Sequence, residues 1–193
     1  MTRPAIAVGV AVQIDRLFAG DAEAKVRTEG WADRQTVKSR NFRQSWLAEE
    51  GFQKVLHKYR VRFQYRGQYT GDRDSAGPEF TLWRPDGALV TLDVRSRLNS
   101  ELLKWQEVPY PDDRFLHEQH LIADYTVACG VLDVQGARRI LYYGAIAKDR
   151  LLAELAKSPV RRSRNQGERF RVVSLDHFSL PLLEKLLSEV QHV

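Results

Sequence analysis

Two acidic residues and an arginine in the middle of the chain carry side chains that could do chemistry together. Glu79 stands six residues before Pro85, Asp93 six residues after Gly87, and Arg95 two residues beyond Asp93. The tetrapeptide Arg84-Pro85-Asp86-Gly87 has proline where a type I turn accepts it and glycine where a following bulge needs a positive φ. With Pro85, Asp86 and Gly87 as the loop, Arg84 faces Ala88, and counting outward sets Glu79 opposite Asp93. Opposed residues of an antiparallel pair share a face, with Cβ atoms roughly 5 Å apart. Arg95 joins that face by the strand period of two, while Phe80, Leu82, Leu92 and Val94 take the other, apolar face. Two carboxylates this close repel. They persist where they bind a hard cation, where an arginine compensates them, or where water covers them. A divalent ion held there could polarise a phosphate, and the adjacent guanidinium could steady charge that develops in a transition state. An ordinary solvated strand with a cross-strand charge pair is the alternative reading of the same residues.

The surrounding elements follow from periodicity. Residues 5–27 read as a helix broken near Gly20, and residues 30–44 as a polar, basic connector or exposed helix. Residues 45–59 read as a helix with Ser45 as N-cap and Ala48, Phe52, Val55, Leu56 and Tyr59 on one face. On that wheel Glu49 lies at the edge of the packed face and Glu50 points away. Strands are expected at 61–69, 79–84 and 88–97. Residues 99–120 have no clear pattern, and Val108-Pro109-Tyr110-Pro111 is expected to be irregular. Valine-, isoleucine- and tyrosine-rich strands at 121–134 and 138–147 meet at a turn near Gln135-Gly136. A helix at 148–157, a basic loop at 158–169, a strand at 170–175 and a helix at 179–190 complete the chain. Helices at both ends with strands between them imply an α/β domain, a mixed sheet flanked by helices.

The run Gly77-Pro78-Glu79-Phe80, a β-turn, and then Leu92-Asp93-Val94-Arg95 resembles the metal-site hairpin of the PD-(D/E)xK nuclease superfamily. Pro78-Glu79 stands at the family's first acidic motif and Asp93-Val94-Arg95 at the second. Trp46-Leu47-Ala48-Glu49-Glu50-Gly51-Phe52 is similar to the helix that commonly adds a glutamate, with Glu49 as the matching residue. More weakly, Ala123 to Ala128, Leu141 to Ile146 and Gly167 to Leu187 resemble later elements, so the resemblance spans roughly residues 30–190. It implies a restriction-endonuclease-like fold and divalent-metal-dependent hydrolysis of phosphodiester bonds in DNA. The implied catalytic set is Glu49, Glu79, Asp93 and Arg95, with Glu79 and Asp93 holding Mg²⁺ or Mn²⁺. Two positions depart from the family: Glu79 replaces the usual aspartate and Arg95 the usual lysine. A guanidinium stabilises an anion but does not serve as a general base at working pH. A catalytically weakened or silent DNA-binding or interaction subunit of the same fold is therefore the second expectation.

Composition sets the remaining bounds. The 193 residues suffice for one domain, read as a core at 45–193 preceded by a helical, basic extension at 1–44. Net charge is +5 and the pI about 9.4, a balance that favours polyanions. Lys38, Arg40, Arg43, Arg97, Arg161, Arg162 and Arg164 are the residues expected to contact DNA phosphates; Arg169 lies in the same late basic cluster. A homodimer, or a place in a larger DNA-processing system, would suit such a domain. The apolar run Ala5 to Val12 is too short and too quickly closed by charge for a secretory signal or a membrane span, so a cytoplasmic location is expected. Cys129, the only cysteine, reads as a small buried hydrophobe. Asp86 repeats the motif as text, but as a turn-tip residue it lies about 20 Å along the strand from Asp93, too far to share a metal. His117 and His120 lack the zinc-protease spacing. Asp72 and Asp74 read as turn residues beside the site, Asp124 as structural, and Trp31, Trp46, Trp83 and Trp105 as packing residues.

Overall fold

The computed structural model describes residues 6–11, 35–66, 77–134, 137–163 and 167–193; for 6–11, 35–43, 133–134 and 137–138 it describes the backbone alone. Strands come first as β1 (Ile6–Ala11), then, after helix α1 (Gln35–Lys58), as β2 (Phe63–Tyr65), β3 (Phe80–Trp83) and β4 (Leu89–Leu98). Helix α2 (Asn99–Trp105), β5 (Glu107–Pro111) and α3 (Asp112–His117) lead to the long strands β6 (Tyr125–Val134) and β7 (Ala137–Ala147). The chain closes with α4 (Lys148–Lys157), β8 (Arg161–Arg162), β9 (Arg169–Ser174) and α5 (Leu180–Glu189). A six-stranded sheet has the order β1-β7-β6-β4-β3-β2, and a three-stranded sheet the order β5-β9-β8. Among the described residues only the β4/β6 pair is parallel, so the large sheet is mixed. No helix among the described residues is long and apolar enough to cross a membrane.

Two apolar layers sandwich the large sheet. On one face Leu47, Phe52, Val55 and Leu56 of α1 and Leu183, Leu186 and Leu187 of α5 pack on Phe80, Leu82, Leu92, Val94, Val127 and Cys129. On the other, Leu102 of α2, Leu151 and Leu155 of α4 and Val108, Tyr110 and Val173 of the small sheet pack on Ala128, Tyr143 and Ile146. A bulge serves both layers. Between the pairs Ala128/Gly144 and Cys129/Tyr142, Tyr143 is an extra residue that reverses the in–out alternation of β7. Tyr142 therefore faces α1, where its hydroxyl donates to the Ala48 carbonyl at 2.7 Å, and Ile146 faces the opposite layer. Gly144 takes φ 132°, and a Cβ there would lie 2.3 Å from the Ser179 carbonyl carbon, so the close seating of Ser179 on β7 requires glycine.

The hairpin expectation holds in detail. Arg84 N–H donates to Ala88 O at 2.8 Å, Gly87 sits at φ 86°, and Phe80 pairs with Leu92. Elsewhere the structure corrects the sequence reading. Residues 6–11 are not helix but an edge strand against β7. Ser45 is not an N-cap: α1 starts at Gln35, and no glycine or proline interrupts residues 35–44. Tyr59, expected on the packed face, is half exposed just past the helix end. Residues 107–111 are not irregular but strand β5, paired with β9. Its prolines occupy alternate positions, 109 and 111, so both missing N–H groups fall on the open side of an edge strand. Trp105 is mostly exposed rather than packed, whereas Trp46 is buried. Trp31, Asp72, Asp74 and Arg164 lie outside the described residues.

Candidate functional site

The hairpin end away from its turn is where charged side chains gather. Asp93 is fully buried, an expensive position for a carboxylate unless hydrogen bonds and cations surround it. Its Oδ1 accepts from the Glu79 N–H at 3.2 Å, and its Oδ2 faces the Arg95 guanidinium at 3.4 Å. Glu79, directly across the hairpin, turns its carboxylate onto the backbone: Oε2 accepts from the Val94 N–H at 2.5 Å. The register derived from the turn thus brings Glu79, Asp93 and Arg95 together.

Helix α1 delivers the third carboxylate. Ala48 and Phe52 anchor it on the sheet, and Glu49 between them is buried while Glu50 is not. The Tyr65 hydroxyl, at the end of β2, donates to Glu49 Oε2 at 2.6 Å. Burial is the main force on Glu49 and raises its pKa to about 7; the Tyr65 hydrogen bond and the charges of Arg66 and Arg95 pull it down, and Asp93 pushes it up. Glu79 rises well above the ordinary carboxylate range, first through burial and then through the charges of Asp93 and Glu49. Asp93 is therefore close enough to oppose the ionisation of both Glu49 and Glu79.

Cations balance them. Burial works against the charge of Arg95, but the Tyr110 hydroxyl, Asp93 and Glu79 outweigh it and raise its pKa, so Arg95 stays protonated. Its guanidinium lies 5.0 Å from the centre of the Tyr110 ring on β5, and its Nε is buried without a hydrogen-bond partner. Arg114 of α3 also reaches Asp93, with Nη1 3.7 Å from Oδ2. Sequence reasoning missed Arg114 and Tyr110, because the segment 99–120 showed no periodicity and both contacts are tertiary. Tyr65 stood in an expected strand, and its period-two spacing from Phe63 was the available signal.

The expected phosphate contacts are not all brought here. Arg97 donates to Glu101 Oε2 and to the Glu107 carbonyl, both at 3.3 Å. Arg161 makes a two-pronged pair with Glu107 at 2.7 and 2.9 Å, and Arg169 pairs with buried Asp112 at 2.7 Å. Arg162 is exposed. Lys38, Arg40 and Arg43 lie on the first half of α1, and their side chains are outside the described part. His117 and His120 are exposed, and among the described residues no three His, Cys, Asp or Glu side chains gather as a metal cage. Asp124 is structural, accepting from the Thr91 N–H and hydroxyl at 2.9 and 2.8 Å. Cys129 is buried, and burial raises its thiol pKa well above the usual value.

The donor set fits a small hard cation. Magnesium takes oxygen ligands, commonly one or two carboxylates, and fills its remaining positions with water and substrate phosphate. Glu79 and Asp93 supply two neighbouring carboxylates, and an ion bound there would relieve the repulsion that hinders the ionisation of Glu79. No family model matches this chain, and no curated protein or solved structure matches it either.

Proposed function

We propose that the protein is a divalent-metal-dependent DNA nuclease with a restriction-endonuclease-like fold, using Glu79 and Asp93 to hold Mg²⁺ or Mn²⁺. The observation that carries this reading is the convergence of Glu79, Asp93 and Arg95 on one hairpin with a buried glutamate from α1. A divalent ion bound there supplies charge that polarises a phosphate and favours ionisation of water. Arg95 remains charged and offers N–H donors to phosphate oxygens as negative charge builds on them. Glu49, with a pKa of about 7, is matched to accept a proton from an attacking water near neutral pH. Tyr65 holds that carboxylate by one oxygen.

Cleavage of labelled linear, nicked and branched DNA with Mg²⁺ and with Mn²⁺ tests the proposal. Wild type is expected to cleave, and Asp93→Asn to lose about two or more orders of magnitude in rate while still binding DNA. Equal cleavage by both proteins would refute the assigned site.

One observation favours the silent-subunit reading. Both oxygens of Asp93 already have partners in the chain itself, and Glu79 Oε2 is engaged by the Val94 N–H. That reading expects salt-sensitive DNA binding without cleavage in either metal, and Arg95→Lys would ask whether the family's lysine restores it.

A further inference from the structure

Thr126 on β6 carries a hydroxyl that the fold buries without using. The residue is fully buried, and its Oγ1 has no hydrogen-bond partner among the described residues. Leaving a buried hydroxyl unpaired costs free energy, so such a group calls for an explanation. Its neighbours supply none. Val127, Ala128, Cys129 and Val131 of the same strand are buried and apolar, and Ile146 faces Thr126 from β7.

The strand register shows what lies beside it. In the parallel pair of β4 and β6, Thr126 stands next to Asp93 and Ala128 next to Arg95. Residues in register share a face of the sheet, so Thr126, Asp93 and Arg95 lie on one side, the side that Tyr110 covers. Glu79 meets Asp93 from β3 on one flank of β4, and Thr126 flanks it from β6 on the other. A second buried polar atom without a hydrogen-bond partner, the Arg95 Nε, belongs to the side chain that reaches Asp93 Oδ2 at 3.4 Å.

The two unused groups are chemically complementary to water. The Arg95 Nε only donates, whereas a threonine hydroxyl both donates and accepts. Water accepts from the first and donates to the second. A small hard cation brings such water with it, because magnesium dehydrates reluctantly and keeps several waters when one or two carboxylates bind it. Groups that hold the surroundings of a metal in place contribute to its affinity.

We propose that Thr126 is a positioning residue of the metal site: its hydroxyl, together with the Arg95 Nε, holds a hydration water of the divalent cation that Asp93 binds. The inference rests on the metal-site reading above and adds to it a residue that the hairpin motif does not contain.

Calorimetric titration with Mn²⁺ reads the effect without recourse to cleavage. Wild type, Thr126→Val, Thr126→Ser and Asp93→Asn are compared, with thermal melts in a chelator and in Mn²⁺. Thr126→Val keeps the branched shape and loses the hydroxyl. It is expected to weaken Mn²⁺ binding about tenfold and to shrink the rise in melting temperature that Mn²⁺ produces. Thr126→Ser keeps the hydroxyl and stays near wild type. Thr126→Ala repeats the test if the valine variant does not fold. A merely structural hydroxyl would lower the melt in chelator and leave Mn²⁺ affinity unchanged, which would overturn the inference. Equal weakening by valine and serine would overturn it too, since shape rather than the hydroxyl would then matter. Mn²⁺ binding lost in Asp93→Asn but intact in Thr126→Val would sink this inference alone. Absence of Mn²⁺ binding in the wild type would remove the metal-site reading together with it.

Discussion

Glu49 is held in its place against its own ionisation. An exposed glutamate titrates near 4.5, and burial on the packed side of α1 moves this one to about 7. Between those values the folded chain keeps a proton that the unfolded chain has released, so stability falls as pH rises through the interval. Glu49→Gln mimics the protonated form and keeps an acceptor for the Tyr65 hydroxyl. The variant should match wild type below pH 4.5 and exceed it above pH 7 by up to about 3 kcal/mol. Urea unfolding at pH 4.5 and pH 8 measures this, and a difference that is the same at both pH values would contradict the assignment. The choice of Glu49 over Glu50 was legible in the sequence because it needs only the 3.6-residue period and the apolar face of α1. Arg114 was not, because it meets Asp93 through the packing of α3, and no spacing within one element encodes that contact.

Local turn chemistry made the hairpin readable before its neighbours. Pro85, Asp86 and Gly87 set the loop, the Asp86 carboxylate caps the Ala88 N–H at 2.9 Å, and the loop sets every pair up to Glu79 and Asp93. Gly87 has open space around its Cα and a φ of 86°, so a side chain there meets backbone strain and no steric neighbour. Gly87→Ala should therefore cost about 1 kcal/mol, with Gly87→Asn costing less because asparagine tolerates the left-handed region. Equilibrium denaturation of the two variants checks the order; equal losses would show that the loop does not depend on a positive φ. Elements fixed by partners rather than by turns were misread. Ile6 to Ala11 is a short apolar run, and such runs do not distinguish a buried helix from a strand by periodicity. Its β-branched residues at 6, 8 and 10 carried the strand signal, and its pairing with β7 decides the matter. In β5 two prolines masked a strand that an edge position permits.

Across the whole molecule the positive charge is less available than a count suggests. Much of the late basic cluster is used to hold the small sheet together. Arg161 grips Glu107 from β8 to β5 across β9, and Arg169 and Arg171 neutralise Asp112. A net charge of +5 says nothing about this distribution, so the sequence could name these arginines but not divide them between packing and solvent. The division has a consequence for DNA. Arg162, beside Arg161, presents its side chain to solvent, whereas Arg161 has both prongs on a carboxylate. If the chain binds DNA across this face, Arg162→Ala should reduce the slope of log K against log salt by about one. Arg161→Ala should leave that slope nearly unchanged and lower stability by about 1 kcal/mol or less, since its pair with Glu107 is partly exposed. Anisotropy with a labelled duplex at several salt concentrations measures both slopes. A larger slope change for Arg161 than for Arg162 would mean that DNA breaks the Glu107 pair and competes for Arg161. A zero change for both would mean that neither arginine of β8 contacts DNA.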